Sequence, residues 1–331
     1  MPDNSGMSIA HYIKEIGRGR KGARSLTREQ AADLFGRLLD GSVSDLQVGA
    51  FCLAMRIKGE TPDEMAGFLD ASHARLARLP ALPHGRAVVV LPSYNGARKL
   101  PLLTPLLALL LARRGVPVLL HGMSTEDGRL ELPALAPALG IATARDMADA
   151  STLIAQHGVV YADTAILHRG LAQLLQVRRS LSLRNSAHSV VKLIRPCAGP
   201  AVVVASYTHP EYATSMADAL TLTQADALLM RGTEGESVAD PRRMTAMTGF
   251  LRGQAQALEE TAASPLATTA DLPATADQAG TLAYTRAVLA GVCAVPVSMQ
   301  RQMAHLVRLC ETAQARAAAP GTATSGETAA P

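Results

Sequence analysis

Aromatic side chains are scarce in this sequence. Tryptophan is absent, and the 331 residues hold only 4 phenylalanines and 6 tyrosines. That argues against recognition built on rows of stacking rings. Cysteine is equally sparse: Cys52, Cys197, Cys293 and Cys310 stand singly, with no Cys-x-x-Cys spacing. Zinc needs convergent ligands and disulfide frameworks belong to small secreted chains, so incidental thiols in a reducing compartment are expected. Long apolar runs are missing too. The most apolar stretch, Leu100 to Ala112, is interrupted by Pro101 and Pro105 and ends at Arg113-Arg114. A bilayer span requires roughly 20 apolar residues. Met1 to Ser8 carry no apolar h-region, so the expectation is a soluble, cytoplasmic protein with no membrane role. Nor does either sign of charge dominate. With 32 Lys and Arg against 28 Asp and Glu, the formal charge is +4, and any electrostatic function must lie in where the charge sits.

What is present is a globular composition, 48% hydrophobic and 18% charged. At roughly 150 residues per domain the length fits about two domains. The first part reads as helices separated by clear punctuation. Ser8 to Ile16 forms a short one. Thr27 ahead of Glu29-Gln30 starts a second, which carries Leu34, Phe35, Leu38 and Leu39 and closes at Gly41. Ser44 caps a third that stops near Gly59. Thr61, with Pro62 in the first helical position and Glu64 after it, starts a fourth that runs towards Leu79. Beyond Pro83 the texture changes to short β-branched runs at Ala87–Leu91, Val116–Leu120, Gly158–Tyr161, Ala201–Ala205 and Ala227–Met230, with helical patterns between several of them. This predicts an α/β fold class: an N-terminal helical domain over 1–82, with a helix near 166–180 returning to it, and a larger α/β domain over 83–312 with a mainly parallel central sheet. The Ala-, Thr-, Gly- and Pro-rich tail, 313–331, lacks an apolar face and is expected to be disordered.

One stretch is familiar. Gly41-Ser42-Val43-Ser44-Asp45-Leu46-Gln47-Val48-Gly49-Ala50-Phe51, followed by Lys58-Gly59-Glu60-Thr61, resembles the N-terminal helical domain of anthranilate phosphoribosyltransferases of glycosyltransferase family 3. The resemblance continues more weakly from about Ser8 to Leu309 and implies a homodimer formed through the helical domain. The family's catalytic motifs are degraded. Its Gly-Thr-Gly-Gly-Asp diphosphate loop, in which bare backbone N–H groups meet phosphate oxygens, corresponds here to Ser93-Tyr94-Asn95-Gly96-Ala97-Arg98-Lys99. Lys-His-Gly-Asn becomes Leu120-His121-Gly122-Met123, and the magnesium-binding acidic pair falls near Glu234 and Glu236 with altered spacing. By this resemblance Asn95, Gly96, Arg98, Lys99, His121 and Gly122 mark the ancestral phosphate-loop region. No catalytic residue, no metal site and no cofactor is expected.

Cations replace what was lost. Arg178 and Arg184 keep the family's arginine frame, while Arg179, Lys192 and Arg195 are added, and no acidic residue lies between Arg178 and Arg195. This drift is similar to the YbiB-type branch of the superfamily, which implies binding of DNA, or RNA, without transferase activity. A second basic run, Arg18-Gly19-Arg20-Lys21-Gly22 with Arg24, suits phosphate contact or is a solvated loop. The nucleic-acid-binding residues expected are therefore Arg178, Arg179, Arg184, Lys192, Arg195, Arg18, Arg20, Lys21 and Arg24. An alternative from another class stays open: a phosphoribosyltransferase with an altered acceptor, using phosphoribosyl diphosphate and magnesium. The histidines have no metal-ligand spacing, and Thr125 to Arg129 reads as a polar turn.

Overall fold

The computed structural model describes residues 8–19, 21–125, 128–262, 272–273 and 275–319. The first four helices are α1 (Ala10–Ile16), α2 (Arg28–Leu39), α3 (Asp45–Lys58) and α4 (Pro62–His73). Three of them open on reciprocal capping boxes, Thr27 with Gln30, Ser44 with Gln47 and Thr61 with Glu64, which satisfy amides that have no partner within the helix. Phe35, Phe51 and Phe68 meet at the centre of this layer. The Lys58–Thr61 turn is held by Glu64, fully buried, whose carboxylate takes the Lys58 ammonium at 2.5 Å and the Leu26 N–H at 2.9 Å. Helix α4 ends at His73, short of Leu79. Leu79 is instead drawn into a bridge with Cys197.

The remaining elements are β1 (Val88–Ser93), α5 (Thr104–Arg113), β2 (Val118–Gly122), α6 (Leu132–Leu135), α7 (Met147–His157), β3 (Val159–Asp163), α8 (Thr164–Leu167), α9 (Arg169–Leu181), α10 (Ala187–Val190), β4 (Ala201–Tyr207), α11 (Glu211–Leu222), β5 (Ala227–Arg231), β6 (Met247–Leu251), β7 (Gln254–Glu259), α12 (Gln278–Leu289) and α13 (Val297–Ala318). The sheet has 7 strands in the order β3-β2-β1-β4-β5-β6-β7, and β1 to β5 run parallel. Their unbroken apolar runs follow from burial on both faces. One face packs against the first helices, α9 and α11; the other packs against α5, α12 and α13. Helix α9 packs closely on α2: a Cβ on Gly170 would lie 2.1 Å from the Leu39 carbonyl oxygen.

One element adds to the expected, mainly parallel sheet, and one expectation needs correction. The antiparallel hairpin β6–β7 was not foreseen, because its turn residues Arg252 (φ 50°) and Gly253 (φ 73°) form a two-residue turn without the usual Asn-Gly signal. The chain also stays ordered past Ala313. That residue is buried, and Arg316 pairs with Asp226 at 2.5 Å, so α13 continues to Ala318. The rest of the tail, 320–331, lies outside the described residues. No helix among the described residues is long and apolar enough to cross a membrane. The four thiols are free, and all but Cys293 are buried.

Candidate anion-binding site

Strand order reverses between β1 and β4, which are neighbours although β2 and β3 lie between them in sequence. Crevices at the carboxyl ends of parallel strands form at such a switch point. Here the loops after β1, β4 and β5 meet. The β1 loop turns at Gly96 (φ 65°), where a Cβ would lie 2.9 Å from the Leu130 carbonyl oxygen. This turn aims the N–H groups of Asn95, Gly96, Arg98, Lys99 and Leu100 at the loop following β5.

Two carboxylates on the β5 loop take those N–H groups. Glu236, only 2% exposed, accepts Asn95 N–H at 2.8 Å and Gly96 N–H at 2.9 Å on Oε1. Its Oε2 accepts the Ser93 hydroxyl at 2.6 Å and the Thr104 hydroxyl at 2.9 Å. Glu234 accepts the N–H groups of Arg98, Lys99 and Leu100 on Oε2, at 2.9, 3.1 and 3.3 Å. The loop is shaped for this. Gly235 has φ 88°, and a Cβ there would fall 2.1 Å from Asn95 Nδ2, which donates to the Glu234 carbonyl at 2.9 Å. Magnesium does not fit this pair, since both oxygens of Glu236 are already saturated by donors. Among the described residues no group of three His, Cys, Asp or Glu is placed to hold a metal.

His121 and Gly122, at the end of β2, form part of the wall beneath the site. A Cβ on Gly122 would sit 2.1 Å from the Ser93 carbonyl oxygen. The Tyr94 hydroxyl bridges His121 Nδ1 at 2.7 Å and Thr164 Oγ1 at 2.9 Å. Burial pushes the His121 pKa down to about 3, so the ring is neutral.

Beside the filled loop a cavity of about 460 Å³ opens between the helical layer and the sheet. Arg56, Arg184, His188, Lys192, Tyr207 and Tyr212 are among its walls. Burial lowers the Arg184 pKa, and Arg56 lowers it further. Arg129 is depressed by burial, then by Arg184, with Arg98 contributing. Arg178, in the last turn of α9, is lowered by burial and by Arg184. These cations therefore stand within mutual Coulomb reach around Arg184. Arg179, the next residue on α9, is exposed, and its charge acts on Glu131.

The basic stretch thus separates. Arg184 lines the cavity, and Arg178 stands within electrostatic reach of it. Lys192 turns inward: its ammonium donates to the Gly235 carbonyl at 2.9 Å, and burial pushes its pKa down to about 8 against the opposing pull of Glu236. Arg195 lies on another side, its N–H donating to His73 Nε2 at 3.1 Å. Contacts in the N-terminal run are local, with Arg18 and Arg24 both reaching Glu15 while Lys21 is exposed; Arg20 lies outside the described residues. The sequence reading missed Arg56 and Arg129. Arg56 carried no signal beyond being polar at the end of an apolar helix. Arg129 is recruited through the Ala97–Leu130 bridge, donating to the Asn95 carbonyl at 3.1 Å, a long-range contact no local pattern announces.

Comparison with known proteins gives a consistent neighbourhood. The family described as "Glycosyl transferase family, helical bundle domain" matches residues 10–75. The uncharacterized protein YbiB of Escherichia coli K12 is 37% identical over 303 residues, covering 90% of this chain and 93% of its own. An anthranilate phosphoribosyltransferase of Methylobacterium nodulans is 30% identical over 224 residues, 66% of this chain and 62% of that one. Among solved structures, the anthranilate phosphoribosyltransferase of Thermus thermophilus superposes with a TM-score of 0.67 at 22% identity, covering 94% of this chain and 90% of that chain.

Proposed function

The chain belongs to the family of Escherichia coli YbiB, within the anthranilate phosphoribosyltransferase-like superfamily of glycosyltransferase family 3, and from that premise we propose that it is a non-catalytic nucleic-acid-binding protein. It holds DNA, or RNA, through backbone phosphates and works as a homodimer. The observation that carries this reading is the gathering of Arg56, Arg129 and Arg178 about Arg184, with Arg98 close to Arg129 and with Arg56 and Arg184 lining the cleft. Cations gathered so closely repel one another, and a polyanion relieves that repulsion while releasing its condensed counterions. Such contacts carry no base information, so binding is largely independent of sequence. Support for the dimer comes from α3, where Leu46, Leu53 and Ile57 are 83%, 50% and 54% exposed along one helical face. Apolar side chains left in water at that spacing suit a self-complementary two-fold contact.

The phosphoribosyltransferase alternative would need the β1-loop N–H groups and the acidic pair for substrate and metal. In this chain those groups satisfy each other. The test is fluorescence anisotropy with random single- and double-stranded oligonucleotides over a salt series. The expected result is affinity that falls linearly in log–log form. Dissociation constants weaker than about 100 μM at physiological salt, the edge of ordinary non-specific binding, would overturn the reading.

A further inference from the structure

The two edges of the sheet are finished differently. At β3 the edge is covered by its own chain: Thr143 bridges Tyr161, whose N–H donates to the Ala142 carbonyl at 2.9 Å and whose carbonyl accepts the Ala144 N–H at 2.8 Å. At β7 no described residue does the same. That strand is last in the sheet order, and Gln254 to Ala257 are exposed. Edge strands are ordinarily blunted with lysine, proline or an inward charge. The stretch Gln254-Ala255-Gln256-Ala257-Leu258 has none of these. Its one irregularity, the register shift opposite Met247 and Thr248, leaves Gln254 to Ala257 in regular pairing with β6.

The hairpin register fixes which backbone groups look outward. A two-residue turn makes Leu251 and Gln254 the closing hydrogen-bonded pair, and antiparallel pairs alternate from there. Gln254 and Gln256 therefore bond to β6, while Ala255 and Ala257 turn their N–H and C=O groups away from the sheet. Read this way, the strand is complementary to itself. In an antiparallel pair centred on Gln256, Ala255 of one copy exchanges hydrogen bonds with Ala257 of the other. The same register sets Arg252 opposite Glu260, the charges that flank the neutral stretch, and both side chains are exposed. An arbitrary extended peptide would satisfy the outward N–H and C=O groups but not these two charges, whereas a two-fold contact meets both of them twice. We propose that β7 is a docking edge for a second copy of this chain, joining two sheets antiparallel about Gln256. The contact rests on neither the nucleic-acid reading nor the α3 face. It is small beside the roughly 1,200 Å² of a stable interface, so it forms at about 0.1–1 mM protein.

The experiment follows self-association of the full chain carrying Leu53→Glu, with the parent alongside, by sedimentation and amide hydrogen exchange up to about 1 mM. Expected is reversible pairing at high concentration, with exchange slowed at Ala255 and Ala257 and unchanged at Gln254 and Gln256, which are already bonded to β6. Ala257→Pro removes an outward N–H and no bond to β6, a change that edge strands tolerate, and it abolishes the pairing. Arg252→Glu weakens the pairing about fivefold or more, and adding Glu260→Arg restores it. This charge exchange reads the register without relying on the proline variant to fold. If Leu53→Glu still dimerises through another surface, the Ala255 and Ala257 amides and the charge exchange still report on β7 alone. A folded chain with no slowed exchange at Ala255 and Ala257 up to about 1 mM overturns the proposal. So does pairing that survives Ala257→Pro, or a charge exchange that fails to restore it.

Discussion

Glu236 accepts the backbone N–H of Gly96 at 2.9 Å, across 140 positions of sequence. Through this bond the loop after β5 closes the loop after β1, and a turn built to meet an anion meets one from its own chain. Deleting the carboxylate strands several buried donors. Each buried donor left without a partner costs about 1–3 kcal/mol, so Glu236→Ala is expected to lower unfolding free energy by about 3 kcal/mol or more. Urea titration checks this, and a loss below about 1 kcal/mol would show that the loops are held together by other contacts.

The cations divide into two classes with different expected phenotypes. Arg56→Glu with Arg179→Glu alters exposed side chains and leaves stability within about 0.5 kcal/mol. The same pair weakens oligonucleotide binding and flattens the salt slope by about 0.7–0.9 for each phosphate no longer neutralised. Lys192→Glu instead places a carboxylate beside Glu236 and two carbonyl oxygens, so it lowers the melting temperature. Equal melting temperatures for the two variants would contradict the inward placement of Lys192.

Assembly is read out by Leu53→Glu. Residue 53 is half exposed on the apolar α3 face, so a charge there costs little in the isolated chain but disrupts a two-fold contact. Sedimentation is expected to give a dimer for the parent chain and a monomer for the variant. A dimer in both places the interface on another surface.

Stability should fall on acidification. Burial, then Arg184, pushes the His188 pKa down to about 3, against an unfolded value of about 6.5. Between those values the unfolded chain binds the extra proton. The contribution of neutral His188 is thus fully present above about pH 6.5 and declines as pH falls towards the folded value. His121 behaves alike for the same cause, burial. Replacing His188 by Gln should flatten the stability profile between about pH 6.5 and pH 4. Superimposable profiles, measured by urea melts, would exclude the effect.

The sequence by itself determined the local elements. Thr27, Ser44 and Thr61 announce helix starts because capping is a contact between residues three apart. The runs containing Val88–Val90, Val202–Val204 and Leu228–Met230 announce buried parallel strands because both faces are covered. The direction of charge drift, from Arg98 and Lys99 to Arg178, Arg179 and Arg184, was equally visible. Which of those charges share a surface was not. Lys192 and Arg195 are three residues apart in sequence, yet one points into the loop after β5 and the other lies against His73. Arg56 and Arg129 joined the cluster from distant segments. The fate of Glu234 and Glu236 was likewise a tertiary matter, because their partners are β1-loop N–H groups carried there by strand order. Backbone donors are the same at every residue, so only the folded geometry says which carboxylate meets them.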